Sequence, residues 1–133
     1  MKIRSIRVWS WIHFFSTSHI ISIHAPLNEK TENLLDFARL QKIEAGSILL
    51  NLGRGGIVNE KDLVHIMDDK ELYVGLDVTR MEPLPEDSVL YEVANPERLL
   101  ITPHIAWTSV EARRELVRGI FENIAKFLKV HTI

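Results

Sequence analysis

The sequence of 133 residues contains no cysteine. That excludes disulfide frameworks, thiol nucleophiles and thiolate metal centres, and it suits a chain of the reducing cytoplasm. No residue set is spaced as a metal site, so no metal is expected. Neither sign of charge is in excess: 16 Lys or Arg stand against 18 Asp or Glu, for a formal net charge of −2. The chain therefore lacks the electrostatic footprint of a nucleic-acid binder or of a protein drawn to an anionic membrane. No apolar run approaches the roughly 18 residues that a membrane-spanning helix needs. Lys2, Arg4 and Arg7 do precede a greasy stretch over 8–15, a loose likeness of a signal peptide, but Ser10 and His13 interrupt it and no A-x-A-like cleavage site follows. Repeats, low-complexity tracts and Pro/Gly-rich linkers are missing too. What is present is ordinary: 46% hydrophobic and 26% charged residues exclude disorder, and the length suits one domain of roughly 100–150 residues.

From Ile20 onward, short apolar runs alternate with helix-like stretches. The run 20–23 (IISI) is β-branched and stops at His24-Ala25-Pro26. Residues 31–43 carry Leu34, Leu35, Phe37, Ala38, Leu40 and Ile43, a helical rhythm that one helix or two short ones satisfy. The near-continuous run 47–52 (SILLNL) has the pattern of a strand covered on both faces. Asn59 is placed to cap a helix over 60–69 with Leu63, Ile66 and Met67 on its inner face. Residues 73–78 read as the next buried strand, 88–94 as a short helical turn and 99–102 as a last short strand before Pro103. Thr108 or Ser109 caps a final amphipathic helix, predicted to turn Leu116, Ile120, Ile124, Phe127 and Leu128 inward. Strands separated by helices predict a parallel α/β sheet with right-handed crossovers.

In such sheets ligands gather outside the carboxyl ends of the strands. The residues just past each strand are His24-Ala25-Pro26, Gly53-Arg54-Gly55, the stretch from Asp77 to Glu82, and Pro103-His104. His104, behind a proline that restricts its backbone, is a candidate proton donor and acceptor near neutral pH. Glu82 is the nearest plausible carboxylate to raise the pKa of that imidazole and fix its tautomer. Arg54 lies in a glycine-flanked turn, where small neighbours let a carboxylate approach the guanidinium fork. Acid, orienter and carboxylate clamp together suit reduction of a 2-oxo acid if a hydride donor lies opposite. Each residue also has a plainer reading: His104 as a hydrogen-bonded structural residue, Glu82 as a solvated loop charge, Arg54 as a turn closure, Asp77 as a cap.

Three stretches break the tie: SIHAPLNEKTENLL (22–35), ILLNLGRGGIVNEKDL (48–63), and GLDVTRMEPLP (75–85) followed by ITPHIAW (101–107). In order and spacing, residues 20–128 resemble the C-terminal part of the D-isomer-specific 2-hydroxyacid dehydrogenases. Gly53 of NLGRG and Trp107 of HIAW lean toward the glycerate dehydrogenase (hydroxypyruvate reductase) branch. The resemblance implies a partial Rossmann-like, doubly wound parallel sheet, the C-terminal half of a cofactor-binding domain. It implies NAD as cofactor, with NADP left open, and a small 2-oxo or 2-hydroxy acid as substrate. The family's catalytic arginine, glutamate and histidine fall on Arg54, Glu82 and His104. Its cofactor contacts fall on Ala25, Pro26, Thr31, Leu52, Gly53, Arg54 and Asp77, with Trp107 beside the active site. Thr79 and Arg80 depart from the family's commoner Phe-Glu, at positions that carry no chemistry.

A larger departure is the missing G-x-G-x-x-G turn, together with the acidic residue that follows it in the family. The family's substrate domain has no counterpart either. Residues 1–19 match nothing in the family pattern and read as a foreign aromatic leader, leaving 20–133 as the cofactor-domain part. These features describe a truncated, frame-shifted or split dehydrogenase, inactive alone and completed by a second copy or by an N-terminal half. The alternative is a non-catalytic remnant or interaction module. A regulatory relative, of the kind seen in a corepressor family of this fold, has no basic or other nuclear signature here to support it.

Overall fold

The computed structural model describes residues 10–131. The first part of the leader, including Lys2, Arg4, Arg7 and Trp9, lies outside the described residues. Four strands form one parallel sheet in the order β1-β2-β3-β4: β1 is Ile20–Ile23, β2 Ser47–Asn51, β3 Leu72–Leu76 and β4 Leu99–Ile101. Ile20 pairs with Ile48, Ile48 with Tyr73, and Val74 with Leu99. The expected α/β sheet is there. Its strands succeed one another in a single direction.

That order has a consequence for the layers. Right-handed crossovers that all step the same way place every connecting segment on the same side of the sheet. The buried residues follow this rule. Ile21 and Ile23 of β1, Leu49 of β2, and Leu72, Val74 and Leu76 of β3 are all within 8% of full burial and share one core with the helices. The alternate residues Ile20, Ile48, Tyr73 and Leu100 are 65%, 38%, 41% and 66% exposed. The run 47–52 therefore does not form a strand covered on both faces: Ser47, Leu49 and Asn51 are buried, while Ile48 is exposed. Apolar sequence marked the strand but could not say which side would find a helix.

Helix α1 (Trp11–Thr17) belongs to this core. Phe15 is 1% exposed and packs under Trp11, ring centroids 5.7 Å apart. The described part of the leader is thus folded in with the sheet. Between β1 and β2 the helical rhythm yields only α2 (Phe37–Leu40), capped by Asp36, whose carboxylate accepts from Arg39 N at 3.0 Å. The chain before it is drawn extended instead. Leu35 N donates to Ile57 O and Asn59 N donates to Leu35 O, both at 3.0 Å, so a backbone bridge to the Ile57-Val58 segment competes with helix there.

Helix α3 (Glu60–Asp69) forms as its signals predict: Asn59 Oδ1 accepts from Asp62 N at 3.1 Å, and Glu60 and Asp62 complement the dipole of the first turn. Its Leu63, Ile66 and Met67 are at most 1% exposed, each worth roughly 1.5–3 kcal/mol of burial. Past its end, Lys70 Nζ donates to Gln41 O and Ile43 O at 2.8 and 2.7 Å, and desolvation there lowers its pKa. Two 3₁₀ turns, Val89–Glu92 and Pro96–Arg98, complete the crossover to β4.

The chain divides into two compact units, with the boundary between Pro103 and His104. The second unit holds helix α4 (Val110–His131), which Ser109 caps by accepting from Ala112 N at 3.1 Å. The inward face expected of this helix is not observed. Leu116, Ile120, Ile124, Phe127 and Leu128 are 52–61% exposed. The amphipathic pattern is real, but nothing in this unit covers the apolar side. Among the described residues, no helix is long and apolar enough to cross a membrane.

Candidate active site

All four strands point the same way, so their carboxyl ends lie along one edge of the sheet. Backbone hydrogen bonds join these ends in sequence. Leu52 N donates to Ile23 O at 3.2 Å, Asp77 N to Asn51 O at 3.0 Å, and Thr102 N to Leu76 O at 2.9 Å. The loop after β1 and the turn after β2 meet at Gly53, where a β-carbon would stand 2.8 Å from Ala25 O. The turn after β2 and the loop after β3 meet at Gly55, where a β-carbon would stand 1.8 Å from Thr79 O. Two glycines thus let three loops close on one another.

The first of these meetings opens into a groove of about 590 Å³ lined by His24, Ala25, Pro26, Leu27, Leu52, Gly53 and Arg54. Five sequence-expected residues, Ala25, Pro26, Leu52, Gly53 and Arg54, are among its lining. Thr31 does not line it. Its hydroxyl donates to Pro26 O at 2.7 Å and accepts from Asn28 N at 2.8 Å, closing the loop that carries Ala25 and Pro26. His24 Nε2 lies 2.8 Å from Ser22 Oγ.

Arg54 is exposed, and its Nη1 donates to Gly53 O at 2.8 Å. Beneath it lies Asn51, 1% exposed, whose Oδ1 accepts from Gly53 N at 3.2 Å and whose Nδ2 donates to Arg54 O at 3.0 Å. In the next loop Asp77 is 4% exposed and accepts a 2.5 Å hydrogen bond from Thr102 Oγ1. A Glu82 carboxylate oxygen accepts from Thr79 N at 3.2 Å, and Thr79 Oγ1 donates to Met81 O at 2.8 Å. These bonds fold 79–82 into a tight turn with the glutamate drawn back over it.

His104 and Trp107 belong to the second unit. His104 is half-buried, and its backbone φ of 54° puts a residue with a β-carbon in the left-handed region, at a cost of roughly 1–2 kcal/mol. Trp107 Nε1 donates to His104 O at 2.8 Å, which ties the indole to that turn.

Asn51, Gly55, Thr79 and Thr102 carry the local order of the site; sequence marks Gly55 only as a flank of Arg54 and Thr79 only as a departure from the family pattern, and gives Asn51 and Thr102 no role. Asn51 left one signal: a polar residue at an inward position of an otherwise apolar strand. Among the described residues no three His, Asp or Glu side chains gather as a metal site. Arrayed along one edge are a guanidinium beside a groove, a carboxylate in a tight turn and a buried aspartate; of these, Arg54 is the group able to pair with a small anion.

Comparison with known proteins identifies the family. Residues 2–106 match the family model described as D-isomer specific 2-hydroxyacid dehydrogenase, NAD binding domain. The match runs through most of the segment set apart as a leader. A glycerate dehydrogenase of Methylorubrum extorquens is 34% identical over 112 residues, 84% of this chain and 35% of the relative. An (S)-sulfolactate dehydrogenase of Chromohalobacter salexigens is 40% identical over 111 residues, 83% of this chain and 35% of the relative. The crystal structure of an NAD-dependent formate dehydrogenase from Staphylococcus aureus in complex with NAD superposes with a TM-score of 0.75 at 29% identity, covering 94% of this chain and 37% of that one. The chain spans about a third of the length of the curated relatives it matches.

Proposed function

The chain belongs to the D-isomer-specific 2-hydroxyacid dehydrogenases through their NAD-binding domain, and on that premise we propose that it serves an oxidoreductase passing hydride between NAD(P) and a small 2-hydroxy acid. D-glycerate and hydroxypyruvate are the proposed pair. The observation that carries this reading is the Arg54 turn: a guanidinium at the rim of a groove lined by His24, Ala25, Pro26, Leu27, Leu52 and Gly53, and bonded to Gly53 O within its own turn.

The groove suits the nicotinamide end of the cofactor. Ala25, Pro26, Leu52 and Gly53 line it, and the absence of a side chain at Gly53 lets its backbone close against Ala25 O, where a β-carbon would stand at 2.8 Å. When bound, the nicotinamide supplies or accepts the hydride. Arg54 binds the substrate carboxylate through its fork and also contacts the carbonyl. His104 donates a proton to the keto oxygen in reduction and recovers it in oxidation, and Glu82 is the carboxylate assigned to hold that histidine. Asp77 contributes to the cofactor's nicotinamide end and Trp107 to the wall of the substrate site. These roles rest on the family resemblance, residue by residue.

Activity depends on parts these 133 residues do not contain. The pyrophosphate of a dinucleotide normally rests on the glycine-rich turn at the first helix of such a domain, and no such turn occurs here. A second reading is an interaction module that must join a partner half or a second copy, favoured by the exposed sheet residues Ile20, Ile48, Tyr73 and Leu100. We place the reaction in the cytoplasm, where a cysteine-free chain is at home.

The test is complementation. The full chain, mixed or co-expressed with the N-terminal part of the Methylorubrum glycerate dehydrogenase, is expected to restore NADH-dependent reduction of hydroxypyruvate that neither piece shows alone. Arg54→Ala and His104→Ala should each lower kcat/KM by about three orders of magnitude. A well-folded complex that binds NADH and turns over no 2-oxo acid would leave the interaction module as the better reading.

A further inference from the structure

We propose that the buried side chain of Asn51 is a positioning residue for Arg54, setting the direction of its guanidinium from beneath without touching substrate. The inference rests on the dehydrogenase reading above and concerns how that carboxylate clamp is aimed.

The geometry runs through three successive peptide planes. Asn51 Oδ1 holds the N–H of Gly53, which belongs to the plane between residues 52 and 53; Asn51 Nδ2 holds the C=O of Arg54, which belongs to the plane between residues 54 and 55. The plane in between carries the Gly53 carbonyl, and that carbonyl accepts from Arg54 Nη1. With its two neighbours gripped by one amide, the middle plane cannot swing, and the guanidinium is pinned by a carbonyl of fixed direction. One of the five guanidinium N–H groups is used this way, leaving donors for a carboxylate. Only a primary amide of this length presents an acceptor and a donor to both planes at once. Asn51 is itself 1% exposed, and its own C=O accepts from Asp77 N, so its backbone is anchored to β3. A clamp aimed in advance binds its anion without first giving up side-chain freedom.

The test combines two readouts on Asn51→Ala, with Asn51→Ser as a second variant whose hydroxyl satisfies one partner but cannot span both. Amide hydrogen exchange on the full chain should show Gly53 exchanging at least tenfold faster, with Val74 and Leu63 unchanged. In the complemented enzyme, KM for hydroxypyruvate should rise about tenfold or more with kcat within a factor of about three. Turnover of glycolaldehyde, which keeps the carbonyl and lacks the carboxylate, should fall clearly less than turnover of hydroxypyruvate. An equal loss on both substrates marks Asn51 as merely structural and overturns the proposal, as does an unchanged KM or an unchanged Gly53 exchange rate. Absence of turnover in the unmodified complemented chain is a different failure, since it removes the dehydrogenase reading and the proposal falls with it.

Discussion

The two faces of the sheet are built from alternate residues of the same strands, yet they have opposite fates. Leu49 is fully buried and Ile48, its neighbour in sequence, is 38% exposed; Leu72 is fully buried and Tyr73 is 41% exposed. Both faces are apolar. The difference lies in the connections: four parallel strands laid down in one direction receive their crossovers on one side. Covering the second side needs chain that reverses the winding, as the other half of a doubly wound fold does. The site lies on the edge where the strands end, and it is ordered by its own glycines and Asn51, independently of the second face.

The largest expected effect falls on the covered face. Leu49→Ala should cost about 3–4 kcal/mol in urea unfolding, and a loss under about 1 kcal/mol would mean that the core is not continuous through β2. Gly55→Ala should cost about 2–3 kcal/mol, because the added carbon meets the Thr79 carbonyl rather than a movable side chain; unchanged stability would show that the two loops are not locked together. Gly75 offers the contrast. An alanine there meets only Leu50 Cδ2, at 2.8 Å, the end of a flexible side chain. Asn59→Ala should remove about 1 kcal/mol by uncapping α3, the helix packed on β3.

The smallest effect belongs to the exposed face. Ile48→Thr and Leu100→Thr should leave the stability of the isolated chain within about 0.5 kcal/mol, and they should weaken its association with an N-terminal half in sedimentation. A large loss in the chain by itself would show that this face is already covered.

Local signals read cleanly from sequence wherever the structure is local. The Asn59 cap, the apolar stripe of α3 and the strand runs depend on neighbours within a few residues. So did the placing of Arg54 and Glu82 just past strand ends, since order along the chain settles which loops share an edge in a parallel sheet. Expectations failed where a residue's partner is distant. Residues 31–43 keep helix only at 37–40, with turns at 31–33 and 41–42 and Leu35 drawn into a backbone bridge with Val58. The apolar side of α4 stays exposed because periodicity announces a face and not its cover.

By itself, then, the sequence determined the four strands, their parallel direction, helix α3 and the family, because these follow from periodicity, punctuation and motif spacing along the chain. Only the tertiary structure decided which side of the sheet is buried, and that a strand asparagine grips the turn beneath the guanidinium. The physical reason is common to both: burial and side-chain hydrogen bonding are settled by what approaches from elsewhere in the fold, and a residue's type does not say what that will be.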